Sequence, residues 1–112
     1  MDVASISIPE QVAALEEAWH SRDLVGFNDT ALRLVRLEGA FPWHRHDQDE
    51  LFICWQGAFA IELQGGAAAR LQAGDVFVVP RDVDHRPVAE QTAFALQSGT
   101  PPHVRAAVDH PV

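Results

Sequence analysis

A chain of 112 residues, 47% hydrophobic and 8% aromatic, has the proportions of one globular domain with a single hydrophobic core. Sixteen acidic residues stand against eight basic ones, every one an arginine, for a formal net charge of −8, a field that disfavours nucleic acid and anionic membranes as partners. The one cysteine, Cys54, excludes an intrachain disulfide. Met1 is followed by Asp2 and by no apolar leader. No apolar run exceeds five residues, against the roughly twenty that span a bilayer. The chain reads as one cytoplasmic domain over 1–112.

The first element is a helix. Ile8, Val12, Leu15 and Trp19 recur at helical spacing, with Ser7 as cap, Pro9 in the first turn and Glu10 as first-turn acid, so the pattern predicts an amphipathic helix over about 8–19. From Leu24 the period changes to that of strands. Asn28 and Asp29, Gly39, Gly57, Gly65 and Gly66, Gly74, and the stretch from Pro80 to Asp84 punctuate short apolar runs. Turns at such intervals point to an antiparallel all-β sandwich or barrel over about 24–98. Leu32, Leu34 and Leu37 fall on both parities, which suggests a bulge near Arg33 and Arg36, each expected at the surface. The residues 99–112, with Pro101, Pro102 and Pro111, read as a C-terminal arm.

The chemistry concentrates between Gly39 and Gly57. On an extended strand His44 and His46 share a face, and Glu50 has the same parity. Cys54 and Phe52 share it too and are expected to line the interior, whereas Phe41 and Trp43 are expected on the opposite face. Farther on, Gly74 opens the strand Val76 to Val79, Pro80 closes it, and His85 follows. An antiparallel fold allows His85 to join the first three groups. Three imidazoles and a carboxylate suit a divalent transition metal such as iron, zinc, manganese, nickel or copper, not an all-oxygen calcium or magnesium site. Asp47, Asp49, Gln56 and Asp84 are candidates to orient the imidazoles. His20, His103 and His110 lie outside both stretches and are expected to be exposed.

These two stretches resemble the paired motifs of a small single-domain cupin of the conserved-barrel kind. In the first, Gly39, His44, His46, Glu50 and Gly57 match, with four residues rather than five between Gly39 and His44. In the second, Gly74, Pro80 and His85 match, while Asp82 stands in place of a glycine and Ala89 in place of an asparagine. Asp tolerates the left-handed turn that glycine supplies better than most residues do. The resemblance implies a double-stranded β-helix, a jelly-roll barrel, holding one metal on His44, His46, Glu50 and His85, and it also implies a homodimer.

Two classes of function follow. One is a small metalloenzyme of dioxygenase or isomerase type, acting on a small polar or aromatic molecule. The other is a metal-dependent module that binds or senses a small ligand without turnover. With neither tyrosine nor lysine in the chain, no dedicated proton shuttle stands beside the metal ligands, which favours oxygen chemistry or pure binding over an isomerase. A regulator with its own DNA-binding domain has neither the length nor the charge.

Overall fold

In the computed structural model, which describes residues 3–99, Ser7 caps a first helix, α1 (Ile8–Ala14). Its hydroxyl accepts from the Glu10 amide at 3.3 Å, and Pro9 occupies the first turn, where a missing N–H costs nothing. The helix ends at Ala14, not near Trp19. Leu15 turns extended, and Trp19 adopts φ +63 and donates its amide to the Arg36 carbonyl at 2.6 Å. A backbone bond to the sheet thus replaces the continuation of the helix. Helical spacing at Trp19 is overridden by tertiary pairing.

Seven strands follow: β1 (Ser21–Phe27), β2 (Thr30–Ala40), β3 (Glu50–Gln56), β4 (Ala58–Leu63), β5 (Ala68–Gln72), β6 (Val76–Val79) and β7 (His85–Gly99). All pairings are antiparallel, in the order β1-β2-β7-β3-β6, with β4 joining β5 to β7. The described residues form an all-β barrel with one short helix. β7 serves two groups of strands. Its first residues pair with β4, from Leu63↔His85 to Ala60↔Val88, and its second half lies between β2 and β3. It also runs to Gly99, paired with Ala31, so Ser98 and Gly99 belong to the sheet. The remainder of the expected C-terminal arm, with His103 and His110, lies outside the described residues.

Alternation along β2 and β7 fills two cores. Val35, Leu37, Ala93 and Ala95 turn into the barrel with Phe52, Cys54, Phe59, Ile61, Leu71 and Val79. Leu34, Phe94 and Leu96 turn outward and are covered by Leu15, Ile8 and Val12. Burying each such side chain contributes about 1.5–3 kcal/mol. Both faces of β2 are therefore apolar because both are covered, and this accounts for leucines on both parities. The register shifts fall at Asp23/Val25 in β1, opposite Arg33 and Leu32, and at Leu37/Gly39, just past Arg36, so the irregularities lie near the two arginines as expected.

Arg33 is the main departure from expectation here. It shares the inward parity of Val35 and is only 1% exposed, with its Nε donating to Asp23 Oδ1 at 3.1 Å across the β1–β2 pair. A buried guanidinium needs such a partner. Arg36 points the other way, donating to the Leu15 carbonyl at 3.2 Å and lying over the Phe94 ring.

Gly57 joins β3 to β4 at φ +80, and a Cβ there would come within 3.0 Å of the Thr92 carbonyl oxygen and 3.1 Å of Ala93. Gly65 has φ +87 but open space around it. Gly57→Ala is expected to lose about 2–4 kcal/mol from left-handed strain and overpacking together, and Gly65→Ala about 1–2 kcal/mol from strain alone. Urea denaturation of the two variants checks the order. Equal losses would show that the crowding at Thr92 and Ala93 relaxes.

Candidate metal centre

The residues Phe41 to Asp49 connect β2 to β3 without forming a continuous strand. Only His44 pairs, in an isolated antiparallel bridge with His85, the first residue of β7. Its two backbone bonds measure 3.0 and 2.9 Å. Three further ties lace the β2–β3 and β6–β7 connections together: the Asp82 amide donates to the His46 carbonyl at 2.8 Å, the Arg81 amide to Asp49 Oδ1 at 2.9 Å, and Arg45 Nε to Asp84 Oδ1 at 2.7 Å. Asp82 adopts φ +63, the left-handed geometry required of it in place of glycine.

His44, His46, Glu50 and His85 come together, with a candidate ligand atom from each lying within 4.8 Å of the others, although His44 and His46 lie outside any regular strand and so are not aligned by strand alternation. The rings of His44 and His85 are 4.4 Å apart between centroids, and those of His44 and His46 5.0 Å. Glu50, the first residue of β3, divides its carboxylate between two imidazoles. Oε1 lies 3.3 Å from His85 Nε2 and Oε2 lies 3.4 Å from His46 Nε2. His85 and Glu50 are buried, whereas the His46 side chain is 36% exposed, so the cluster meets solvent on the His46 side.

The tautomers are set by the backbone. His44 Nδ1 is 2.9 Å from the Pro42 carbonyl, and His85 Nδ1 is 2.9 Å from the Val83 carbonyl. A carbonyl only accepts, so each Nδ1 carries a proton and donates it, leaving Nε2 to face the cluster. The orienting groups are thus carbonyls two residues upstream, not Asp47, Asp49, Gln56 or Asp84. Asp49 and Asp84 are instead engaged by the Arg81 amide and by Arg45. Nothing in residue type marks a carbonyl acceptor, although the recurrence of the same offset at both histidines is a signal visible in hindsight. Phe41 also departs from expectation: its ring meets His44 edge-on at 5.1 Å and Trp19 at 5.0 Å. Trp43 does face away, beneath the Arg86 guanidinium. Cys54 is buried in the barrel core and donates to the Gly57 carbonyl at 3.3 Å, with burial and the Asp75 charge pushing its thiol pKa up. His20 is half-buried beside Glu17, 3.2 Å away.

The donor set fits a divalent transition metal. His44 Nε2 and His46 Nε2 are buried without a hydrogen-bond partner, the approach of His46 to Glu50 being close but not aligned as a hydrogen bond. Three imidazole nitrogens and one carboxylate are the ligands such an ion takes. Burial, opposed by the Pro42 carbonyl, pushes the pKa of His44 down, and its histidine neighbours push it further. For His85, burial also lowers the pKa, but the Glu50 hydrogen bond and the Val83 carbonyl outweigh it and the net shift is upward.

A match to the cupin domain family covers residues 33–97, more than half of the chain. The uncharacterized protein YdbB of Bacillus subtilis is 38% identical over 60 residues, a match covering 53% of this chain and 53% of YdbB; the chain thus matches about half the length of that relative. The solved structure of a cupin-2 domain containing protein from Shewanella frigidimarina is similar at a TM-score of 0.82 and 31% identity, covering 86% of this chain and 94% of that one. The hydroquinone 1,2-dioxygenase PnpCD in complex with Fe3+ matches at a TM-score of 0.81 over 99% of this chain and 38% of its own, with 14% identity. That last likeness is one of fold.

The opposed shifts set a pH test on protein stripped of metal by a chelator. Charged His85 stabilises the fold below the ordinary histidine value of 6.5, and this contribution is lost as pH rises through its raised pKa. His44 acts oppositely, its contribution being lost as pH falls through a lowered pKa. Imidazole NMR titration is expected to place His85 above 6.5 and His44 below it. Glu50→Gln is expected to lower the pKa of His85, because burial remains while the carboxylate charge is gone. A titration of His85 unmoved by that substitution would remove Glu50 as the cause.

Proposed function

The chain belongs to the cupin domain family, and from that premise we propose that His44, His46, Glu50 and His85 hold one divalent transition metal and that a small polar or aromatic molecule is handled beside it. The observation that carries this reading is the pair of buried, unpartnered Nε2 atoms on His44 and His46. Two imidazole nitrogens removed from water and left unpaired are costly unless something completes them. A bound ion of iron, zinc, manganese or nickel supplies Lewis acidity and, when redox-active, a centre for oxygen chemistry.

The chain's own residues prepare that site. Pro42 and Val83 hold two imidazoles in the tautomer that presents Nε2, Glu50 offsets part of the positive charge, and the Phe41 ring keeps water from one side of His44. The substrate side is that of His46, where the cluster meets solvent. Dioxygenase- or isomerase-type turnover is the reading we favour. A second reading, ligand binding without turnover, draws on two observations: Asp49 and Asp84, two carboxylates close to the histidines in sequence, are engaged by the Arg81 amide and by Arg45, and tyrosine and lysine are absent from the chain. Neither carboxylate stands free as a general acid or base.

The assembly belongs to this proposal too. Val25 and Phe27 of β1 and Val76 and Val78 of β6 are exposed by 44–60%. The register puts Val25 beside Leu32, Val78 beside Leu51 and Val76 beside Ile53, on the outer face of the sheet. A homodimer closed over this face would cover them. No helix among the described residues is long and apolar enough to cross a membrane, and the lone buried thiol of Cys54 suits the cytoplasm, where we place the protein.

Protein purified without an affinity tag is expected to carry about one metal equivalent per chain by elemental analysis, and His46→Ala to carry almost none. Full occupancy in that variant would sink the ligand assignment. Oxygen uptake or product formation against a substrate panel, dependent on iron, is expected for the enzyme reading; ligand-induced stabilisation without product would decide for binding. Light scattering at micromolar concentration is expected to give the mass of a dimer, and a monomer would count against the apolar outer face as its interface.

A further inference from the structure

The three imidazoles of the centre are not held alike. His44 and His85 each donate their Nδ1 proton to the carbonyl two residues upstream, at 2.9 Å in both cases. The corresponding carbonyl for His46 is that of His44, which accepts from the His85 amide at 2.9 Å and not from His46. Among the described residues nothing hydrogen-bonds to His46 Nδ1, which meets solvent, whereas Nε2 is buried toward Glu50. The His46 side chain is 36% exposed, that of His85 1%. His46 also stands in an irregular connection, while Glu50 opens β3, His85 opens β7 and His44 is bridged to His85. An imidazole whose outer nitrogen meets only water is fixed in neither tautomer nor ring angle, and such outer bonds are worth about 10- to 100-fold in metal affinity. His46 is the least anchored of the four.

We infer that His46 is an exchangeable ligand: a small chelating molecule takes its place beside the metal, while His44, Glu50 and His85 keep hold of the ion. The inference rests on the metal reading given above. Two imidazoles and one carboxylate are a set that binds a divalent ion and leaves its other positions open. Release is a rotation of one side chain and not an opening of the loop, because the His46 carbonyl stays bound to the Asp82 amide at 2.8 Å. The ring moves into the solvent it already touches. Charge names the class of the incoming molecule. A divalent ion offset by the one carboxylate of Glu50 keeps a positive charge, so the replacement that suits it brings two oxygen donors and a single negative charge. One nitrogen–metal bond breaks, two oxygen–metal bonds form, and the proton of the incoming acid passes to water.

The test uses the full chain loaded with cobalt(II), whose unpaired electrons shift the proton signals of every imidazole bound to it, and acetohydroxamate as probe. Before the probe is added, proton NMR is expected to show shifted ring signals from His44, His46 and His85, with the Nδ1 proton of His46 exchanging fastest with water. At saturating probe only the His46 signals are expected to return to the unshifted region, with about one equivalent of cobalt per chain retained. His46→Ala, empty on its own, is expected to regain about one equivalent when acetohydroxamate is present, and His44→Ala to stay empty with or without it. Shifted His46 signals that survive saturating probe overturn the exchange. Equal cobalt contents of the two variants in the presence of the probe do so too. Loss of cobalt from the parent on adding the probe also overturns it, since three residues would then not hold the ion. If no imidazole signal is shifted before the probe is added, the metal reading itself fails, and this inference with it.

Discussion

Two backbone hydrogen bonds between His44 and His85 hold the centre together. The histidines lie 41 positions apart, one in an irregular connection and the other at the start of a strand, and neither element alone would fix an imidazole to the accuracy a metal site needs. Bridging them makes the two rings neighbours at 4.4 Å. The bridge in turn depends on β7, which pairs with β4 at its start and with β2 and β3 at its end. Any slip in those ladders would turn His85 from the interior to the outside.

Around this bridge the protein tolerates polar groups that a core built for stability alone would exclude. Glu50, His85, Arg33 and Gln97 are all buried among aliphatic and aromatic side chains. Three of the four have protein partners: Glu50 and His85 face each other, and Arg33 meets Asp23. Gln97 has none. Buried atoms without a hydrogen-bond partner occur on His44, His46 and Gln97, and also at Arg36 Nε, which points away from the barrel interior.

Much of the architecture was legible in the chain. Asn28, Gly39, Gly57, Gly65, Gly66, Gly74 and Asp82 adopt positive φ, at the positions where the strand pattern breaks. The parity of Glu50, Phe52 and Cys54 correctly placed all three inside. Arg33 was misjudged because a charged residue is expected in water unless a partner is known, and that partner, Asp23, stands on a neighbouring strand across the hairpin. Phe41 was misplaced because parity holds only along a regular strand, and the chain from Phe41 to Asp49 is not one. Trp19 had the right spacing for a helix that the backbone does not continue.

The sequence by itself singled out the candidate ligands through the paired motifs and marked where the chain turns, because residue type and the left-handed preference of glycine act within a few positions. The tertiary structure decided the rest. Which nitrogen of each histidine faces inward depends on the Pro42 and Val83 carbonyls, which no residue type encodes. Whether Arg33 or Arg36 is buried, and whether Gln97 is left unpaired, depends on register between strands far apart in the chain. Alternation assigns a residue to one of two faces, but only the packing of those strands settles which face is the inside and what meets each side chain there.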